Sequence, residues 1–286
     1  MISKVYNAKT IDDVLTLLSK YKEQSKIISG GTDIMVALRN KKINPSVLIN
    51  IDKIEEISKI EEFEDYISIG SGVTFTKIVE SLLFKENLYG LYNACRMVGS
   101  PQIRNKGTIG GNIANGSTAA DSVPPLMALD SVVTILNKEG KREIKLRDYF
   151  ENPVKDDEFL LNIKFKKPNK NEVLSFSKLG LRKALAISRV SLATYISYNK
   201  DLIIEKANVS SGALGKNAMK EFEVEEFLMG KRLTDDVIKE SINILRRTLD
   251  KRLEGRSSLE FKREAVVSIL GEALNHSRSF INGVKL

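Results

Sequence analysis

The sequence predicts an α+β chain, or a mixed α/β one, and three observations predict it. Toward the amino terminus, short apolar runs alternate with segments of helical periodicity. Further on, EVLSFSKLGLRKALAISRVSLATYISYN and LIIEKANVSSGAL read as long strands of a second sheet. The chain then turns helical, with Ile238, Ile242, Leu245 and Leu249 on one face. Apolar spacing of three and four marks a helix and alternation marks a strand, so the two periods place both kinds of element in one chain.

The elements follow in order. Thr10-Ile11-Asp12-Asp13 opens a helix, with Thr10 as its cap and the acids at its positive end; Val14, Leu17, Leu18 and Tyr21 continue it. Lys26-Ile27-Ile28 reads as a strand that SGGTD breaks, and IMVALRN as a helix. Ser46–Ile51 is a strand, and YISIGSGVTF is a strand running into a turn. Lys77–Leu83 and Leu88–Val98 read as helices. From Gly99 to Pro125 the composition, GSPQIRNKGTIGGNIANGSTAADSVPP, suits neither a core helix nor a simple strand and reads as a long loop. Val132–Leu136, Glu143–Leu146 and Leu160–Phe165 are strands. Beyond the long strands, Thr234-Asp235-Asp236 opens one helix, and Ser257-Ser258-Leu259-Glu260 reads as a capping box before Phe261, Ala265, Ile269 and Ala273. KFKKPNKNE, Lys164–Glu172, is polar with a Pro-Asn pair and marks a boundary near residue 170. There is no internal repeat.

Composition narrows the function. A chain of 286 residues allows one large domain or two ordinary ones. A single cysteine, Cys95, excludes an internal disulfide and a cluster held by four thiolates. A single histidine, His276, excludes a zinc site of several histidines. Cys95 reads as a buried inert thiol, Tyr89 and Tyr92 as core or interface, and His276 as following the last helix, without a visible catalytic partner. The net charge of +8 is spread among 37 acidic residues, which is a solvated surface rather than a nucleic-acid-binding stripe. MISKVYNAKTIDDV has no apolar signal core, and no apolar run reaches the ~20 residues of a membrane span, so a cytoplasmic protein is expected.

Two glycine segments carry the functional signal, ISGGTDIMV and KGTIGGNIANGSTAADS. Glycine permits positive φ and close approach of backbone to a ligand. Gly30 and Gly31 follow a strand and precede a helix starting near Asp33, a geometry that suits phosphate at a helix amino terminus. Gly110, Gly111 and Asn112 offer a second wall, and Thr32, Thr108, Asn112, Ser117 and Asp121 offer polar partners. The P-loop pattern is absent, and GSGVTF has Phe75 where a dinucleotide fingerprint needs its third glycine. On residues alone the segments are either plain turns or a site for a phosphate-bearing ligand.

SGGTD followed by GSPQIRNKGTIGGNIANGSTAADSVPPLMALDS resembles the flavin subunits of the molybdenum hydroxylases, among them xanthine, carbon monoxide and nicotinate dehydrogenases. RKALAISRVSLA and GRSSLEFKREAVVSIL resemble the carboxy-terminal domain of that family, so the likeness spans nearly the whole chain. It implies a flavin domain of the p-cresol methylhydroxylase type over residues 1–170, in two α/β subdomains of about 1–55 and 56–170. A sheet-plus-helices domain over 171–286 follows, and FAD lies extended between them. Ile27, Ile28, Ser29, Gly30, Gly31, Thr32 and Asp33 would wrap the pyrophosphate and adenosine side. Thr108, Ile109, Gly110, Gly111 and Asn112 would form the second wall. Asp121 would accept a hydrogen bond from an FAD hydroxyl, and Leu160 and Lys178 match positions near the flavin. Lys178 by itself reads as a solvated surface lysine. Val98 departs from the aromatic that eukaryotic relatives place near the ring.

The resemblance further implies an electron-transfer subunit that takes electrons from an iron–sulfur partner and passes a hydride to NAD. Substrate oxidation would occur in a large molybdenum subunit, with xanthine as the first substrate expected and nicotinate or a related heterocycle as the alternative. A stand-alone flavin oxidase of the same fold would need its own acid or base and often a histidine or cysteine tether, and the sequence offers neither. A FAD-free assembly module would be colourless where a flavoprotein is yellow.

Overall fold

The computed structural model describes residues 2–182, 185–281 and 283. The first run is β1 (Lys4–Asn7), α1 (Ile11–Tyr21), β2 (Ser25–Ile28), α2 (Ile34–Arg39) and β3 (Val47–Asn50). Strands β4 (Ile60–Glu62) and β5 (Tyr66–Gly70) lead into short helices: α3 (Phe75–Glu80), α4 (Leu82–Asn87), α5 (Tyr89–Arg96), α6 (Pro101–Arg104), α7 (Ile109–Asn115) and α8 (Val123–Ala128). β6 (Val132–Asn137), β7 (Gly140–Lys145), α9 (Leu146–Tyr149) and β8 (Phe159–Lys166) follow. The long strands are β9 (Glu172–Gly180), β10 (Ser188–Tyr198) and β11 (Ile204–Gly212), with the short β12 (Met219–Lys220). Three helices close the chain: α10 (Phe222–Leu228), α11 (Asp235–Arg252) and α12 (Leu259–Ile281).

The chain forms two compact units that interleave in sequence. One comprises Met1–Ile78, Ser100–Gly116 and Ser131–Lys167, the other Val79–Gly99, Ser117–Asp130 and Pro168–Leu286. A boundary near residue 170 is therefore only part of the division. Residues 79–99 and 117–130 also join the second unit, because α5 packs on β9 and α8 packs on β10 and β11. Their apolar faces, with Leu91, Ala94, Leu126 and Met127 fully buried, are visible in the sequence, but periodicity does not say which sheet covers a face.

The first unit holds two sheets. Residues 4–50 supply a parallel sheet in the order β1-β3-β2, in which the central strand buries Val47, Leu48 and Ile49. Helix α1 begins where the sequence places it: Thr10 Oγ1 accepts from the Asp13 amide at 3.1 Å, and the Asp13 carboxylate accepts from the Thr10 amide at 3.0 Å. Its Val14 and Leu18 pack with Val47, Ile49 and Ile51. Residues 60–166 supply an antiparallel sheet in the order β4-β5-β8-β6-β7, with Ile67, Ile69, Val133, Ile135 and Ile163 buried.

The second unit is a four-stranded antiparallel sheet, β12-β11-β10-β9, with α12 against β9 and β10 and α11 against α12. Val190, Leu192, Ile196, Leu245, Leu249, Ile269 and Leu270 belong to its core. Between the sheet and α12, the buried Ser277 hydroxyl meets Ser175 at 2.9 Å and Thr194 at 3.1 Å, while the Ser191 and Tyr198 hydroxyls of β10 are buried without a partner. Glu221, almost fully buried, is held by Arg252 and by the Ser211 hydroxyl.

Four local expectations change. The helix expected over Lys77–Leu83 is two helices that break at Ser81. Helix α12 starts at Leu259, so Glu260 is its second residue and the reciprocal bonds expected from Ser257 are replaced by Leu259 N–H donating to Arg256 O at 3.0 Å. His276 lies inside α12, not after it. The Gly99–Pro125 segment is not an open loop: α6, α7 and the start of α8 occupy most of it. Among the described residues, no helix is long and apolar enough to cross a membrane.

Candidate functional site

The first glycine segment leaves β2 at Ser29 and enters α2 at Ile34. Gly31 has a φ of +73°, which an L side chain rarely adopts. Gly30 is constrained differently: a Cβ there would sit 1.7 Å from the Lys106 carbonyl oxygen. Glycine is needed at residue 30 because the second glycine segment lies directly on it, backbone against backbone. Asp33 precedes α2 without a side-chain cap, and the Met35 amide donates to Gly31 O at 3.2 Å.

The second segment starts α7. Thr108 is its N-cap and accepts from the Gly111 amide at 3.1 Å. The Ile109 amide donates to Val73 O at 2.9 Å, Gly110 to Ser71 O at 3.0 Å, and Asn112 to Thr108 O at 3.0 Å. These amides are spent within the protein, so this wall is not the nest of donors its glycines suggest. Gly110 is instead a packing glycine, since a Cβ there would lie 2.4 Å from the Ser71 Cβ. Gly111 faces open space apart from its own cap, Thr108 Oγ1, at 3.0 Å. Gly116, with φ +63°, ends the helix in the left-handed cap that glycine favours.

These segments line a cavity of about 480 Å³ in the first unit. Of the residues expected from sequence, Ile27, Ser29, Gly30, Gly31, Thr32, Asp33, Thr108, Gly110, Gly111, Asn112 and Leu160 line it. Ile28 and Ile109 do not; Ile109 is fully buried behind the wall. Sequence reasoning missed Ser71, Phe75, Ile34 and Ile51, and with them the strap Val154–Asp156 and the neighbouring Glu158 and Phe159.

The strap is held at both ends of its charge pattern. Arg142 donates to both carboxylate oxygens of Glu158, at 2.8 and 2.7 Å, and to Pro153 O at 3.1 Å. Glu158 also accepts from the Lys155 amide at 2.8 Å. The Arg142 hydrogen bonds hold the Glu158 carboxyl below its ordinary range and raise the guanidinium in return. Across the rim, Lys26 pairs with Asp156 at 2.8 Å, both half-exposed.

Asp121 and Lys178 are not among the residues lining this cavity; both lie in the second unit and pair with each other at 2.6 Å. The Lys178 side chain is only 4% exposed, not solvated, and also donates to Met97 O at 3.0 Å and Ala186 O at 3.2 Å. Asp121 further accepts from the Ser188 hydroxyl. Burial pushes the Asp121 carboxyl up, against the pull of Lys178 and Ser188. Cys95 is fully buried, and burial raises its thiol far above the range in which it would react.

The cavity therefore joins an apolar lining of Ile27, Ile34, Ala37, Ile51, Phe75 and Leu160 to a polar side of Thr32, Ser71, Asn112 and Asn115. That combination, with a side-chain-free surface at Gly111, suits an elongated ligand carrying both flat rings and polar groups. The buried Ser71 hydroxyl has no protein partner, which fits a site completed by a bound polar group.

Fold and cavity together define a cofactor-binding protein of the dinucleotide class. The family described as "FAD binding domain in molybdopterin dehydrogenase" matches residues 1–167, and "CO dehydrogenase flavoprotein C-terminal domain" matches residues 175–277. The chain belongs to the FAD-binding subunits of the molybdenum hydroxylases; its cofactor is FAD, and it is an oxidoreductase subunit. It is 32% identical to the nicotinate dehydrogenase FAD-subunit of Eubacterium barkeri over 91% of each chain. It is also 32% identical to the xanthine dehydrogenase FAD-binding subunit of Escherichia coli O157:H7, over 66% of this chain and 67% of that one. The same fold occurs in carbon monoxide dehydrogenase from Hydrogenophaga pseudoflava, with a TM-score of 0.90, 19% identity and 98% of each chain covered.

Proposed function

We propose that this chain is the electron-transfer subunit of a molybdenum hydroxylase that oxidises a nitrogen heterocycle. Electrons enter from a small iron–sulfur subunit, substrate is oxidised in a large molybdenum subunit, and NAD is the acceptor. The observation that carries the reading is the first-unit cavity, bounded by both glycine segments and lined with no histidine or cysteine. FAD, when bound there, supplies the hydride chemistry that no side chain of this cavity can.

The residues have separable parts in this proposal. The Gly31–Ile34 turn presents backbone donors to the pyrophosphate, and Gly111 leaves room for it. Ile27, Ile34, Ile51, Phe75 and Leu160 supply the apolar lining that would hold the cofactor's rings. Ile28 and Ile109 support the walls from behind. Non-covalent binding follows from the absence of a tethering nucleophile in the lining. One cysteine cannot hold a two-iron, two-sulfur cluster, which is why the wiring to molybdenum belongs to another chain.

Xanthine or another purine is the first substrate proposed for the assembly. Nicotinate is the second reading, favoured by a nicotinate dehydrogenase subunit that matches nearly the full length of this chain. The FAD-loaded chain is expected to reduce an artificial dye with NADH and to leave xanthine and nicotinate untouched. Turnover of either heterocycle without a partner subunit contradicts the subunit reading. FAD-loaded protein with no diaphorase activity contradicts NAD as the acceptor.

A further inference from the structure

We infer that the Ser71 hydroxyl is a hydrogen-bonding position for bound FAD, kept without a partner in the FAD-free protein. The inference rests on the assignment of the first-unit cavity to FAD. Ser71 follows β5 at the base of that cavity and is only 5% exposed. Its backbone is fully committed: its amide donates to Leu161 O at 2.9 Å and its carbonyl accepts from Gly110 at 3.0 Å. Its Cβ is pressed by Gly110, where an added Cβ would come within 2.4 Å of it. Both contacts fix where the side chain begins.

The hydroxyl itself is buried and has no hydrogen-bond partner in the protein. Thr108 also lines the cavity, and its Oγ1 is occupied by the Gly111 amide. Other buried polar atoms without a partner occur at Tyr149, Asn162, Ser191, Tyr198 and Arg246. Among the described residues, Ser71 alone combines that condition with a place in the cavity lining. A buried hydroxyl left unpaired is unfavourable, and one that gains a partner on binding favours the bound state by the same difference. As both donor and acceptor, it suits a carbonyl, ring nitrogen, hydroxyl or phosphate oxygen of the cofactor.

The test is Ser71→Ala, which removes one oxygen and keeps the Cβ that Gly110 packs against. FAD affinity is measured by titration, and the thermal midpoint by unfolding of FAD-free protein. Affinity is expected to fall roughly tenfold, while the FAD-free midpoint rises by about 2 °C. The opposite signs are the signature, because a merely structural serine would lower both. Affinity within about twofold of wild type, or a fall in both quantities, overturns the inference. Wild-type protein that takes up no FAD overturns it too, and places the failure in the cavity assignment instead.

Discussion

At the scale of single residues, the second unit stakes most on its buried charges. Lys178 and Asp121 have side chains 4% and 7% exposed, so neither tolerates loss of the other. Lys178→Met leaves an unpaired buried carboxylate and is expected to cost about 3–5 kcal/mol in denaturant unfolding. Adding Asp121→Asn should recover much of that loss, since the stranded charge is then gone. His276 gives a second residue-level test because it is the only histidine. It lies 5.1 Å from the Tyr89 ring centroid and 3.2 Å from Ser175 Oγ, and burial lowers its pKa from 6.5. A histidine depressed in the folded state adds stability above the unfolded pKa and loses it as pH falls through the folded one. The single imidazole should therefore titrate below pH 6.5 by NMR. His276→Gln should flatten the part of the stability profile below that pH. Neither residue's environment was legible in sequence, because burial of a charged or titratable group depends on partners far along the chain. Asp121 and Lys178 are 57 positions apart.

At the scale of elements, the two glycine walls differ in what their glycines are for. Gly30 and Gly110 serve close packing, whereas Gly111 leaves space. Gly110→Ala and Gly30→Ala should each lower the stability of FAD-free protein by about 1–3 kcal/mol through overpacking. Gly111→Ala gains helix propensity but brings a Cβ to 3.0 Å from the capping Thr108 Oγ1, so the two effects oppose and FAD-free stability should change by less than about 1 kcal/mol. The same substitution should nonetheless weaken FAD binding, a pattern that unfolding and titration together resolve. Only the first segment lies at a strand–helix junction, between β2 and α2; the second lies between helices α6 and α8 and forms α7 itself. Thr10 and Asp13 form their reciprocal cap as the pattern indicates, and Thr108 caps α7. Thr108 reads in the sequence as a polar partner, and the structure makes it the cap of α7. IGGNIAN becomes helical because its first amides find acceptors at Val73, Ser71 and Thr108, two of them on a distant turn. The strap lining the cavity was invisible for a similar reason: its position depends on Arg142 reaching Glu158 from another strand.

At the scale of the molecule, family membership assigns FAD, and the first-unit cavity is the place proposed for it. The order of strands and helices was legible, since apolar periodicity is set locally. The interleaving of the two units was not, because α5 and α8 carry ordinary amphipathic patterns that either unit's sheet could cover. The central claim is that the two glycine segments of the first unit enclose FAD without a covalent bond. The most direct measurement is equilibrium dialysis of FAD against wild type and Gly111→Val, both shown to be folded by circular dichroism, followed by acid precipitation. Wild type should retain about one FAD per chain and release it to the acid supernatant, while Gly111→Val should retain almost none. Full occupancy of the folded Gly111→Val protein, or flavin colour left on the acid pellet of wild type, would contradict the account.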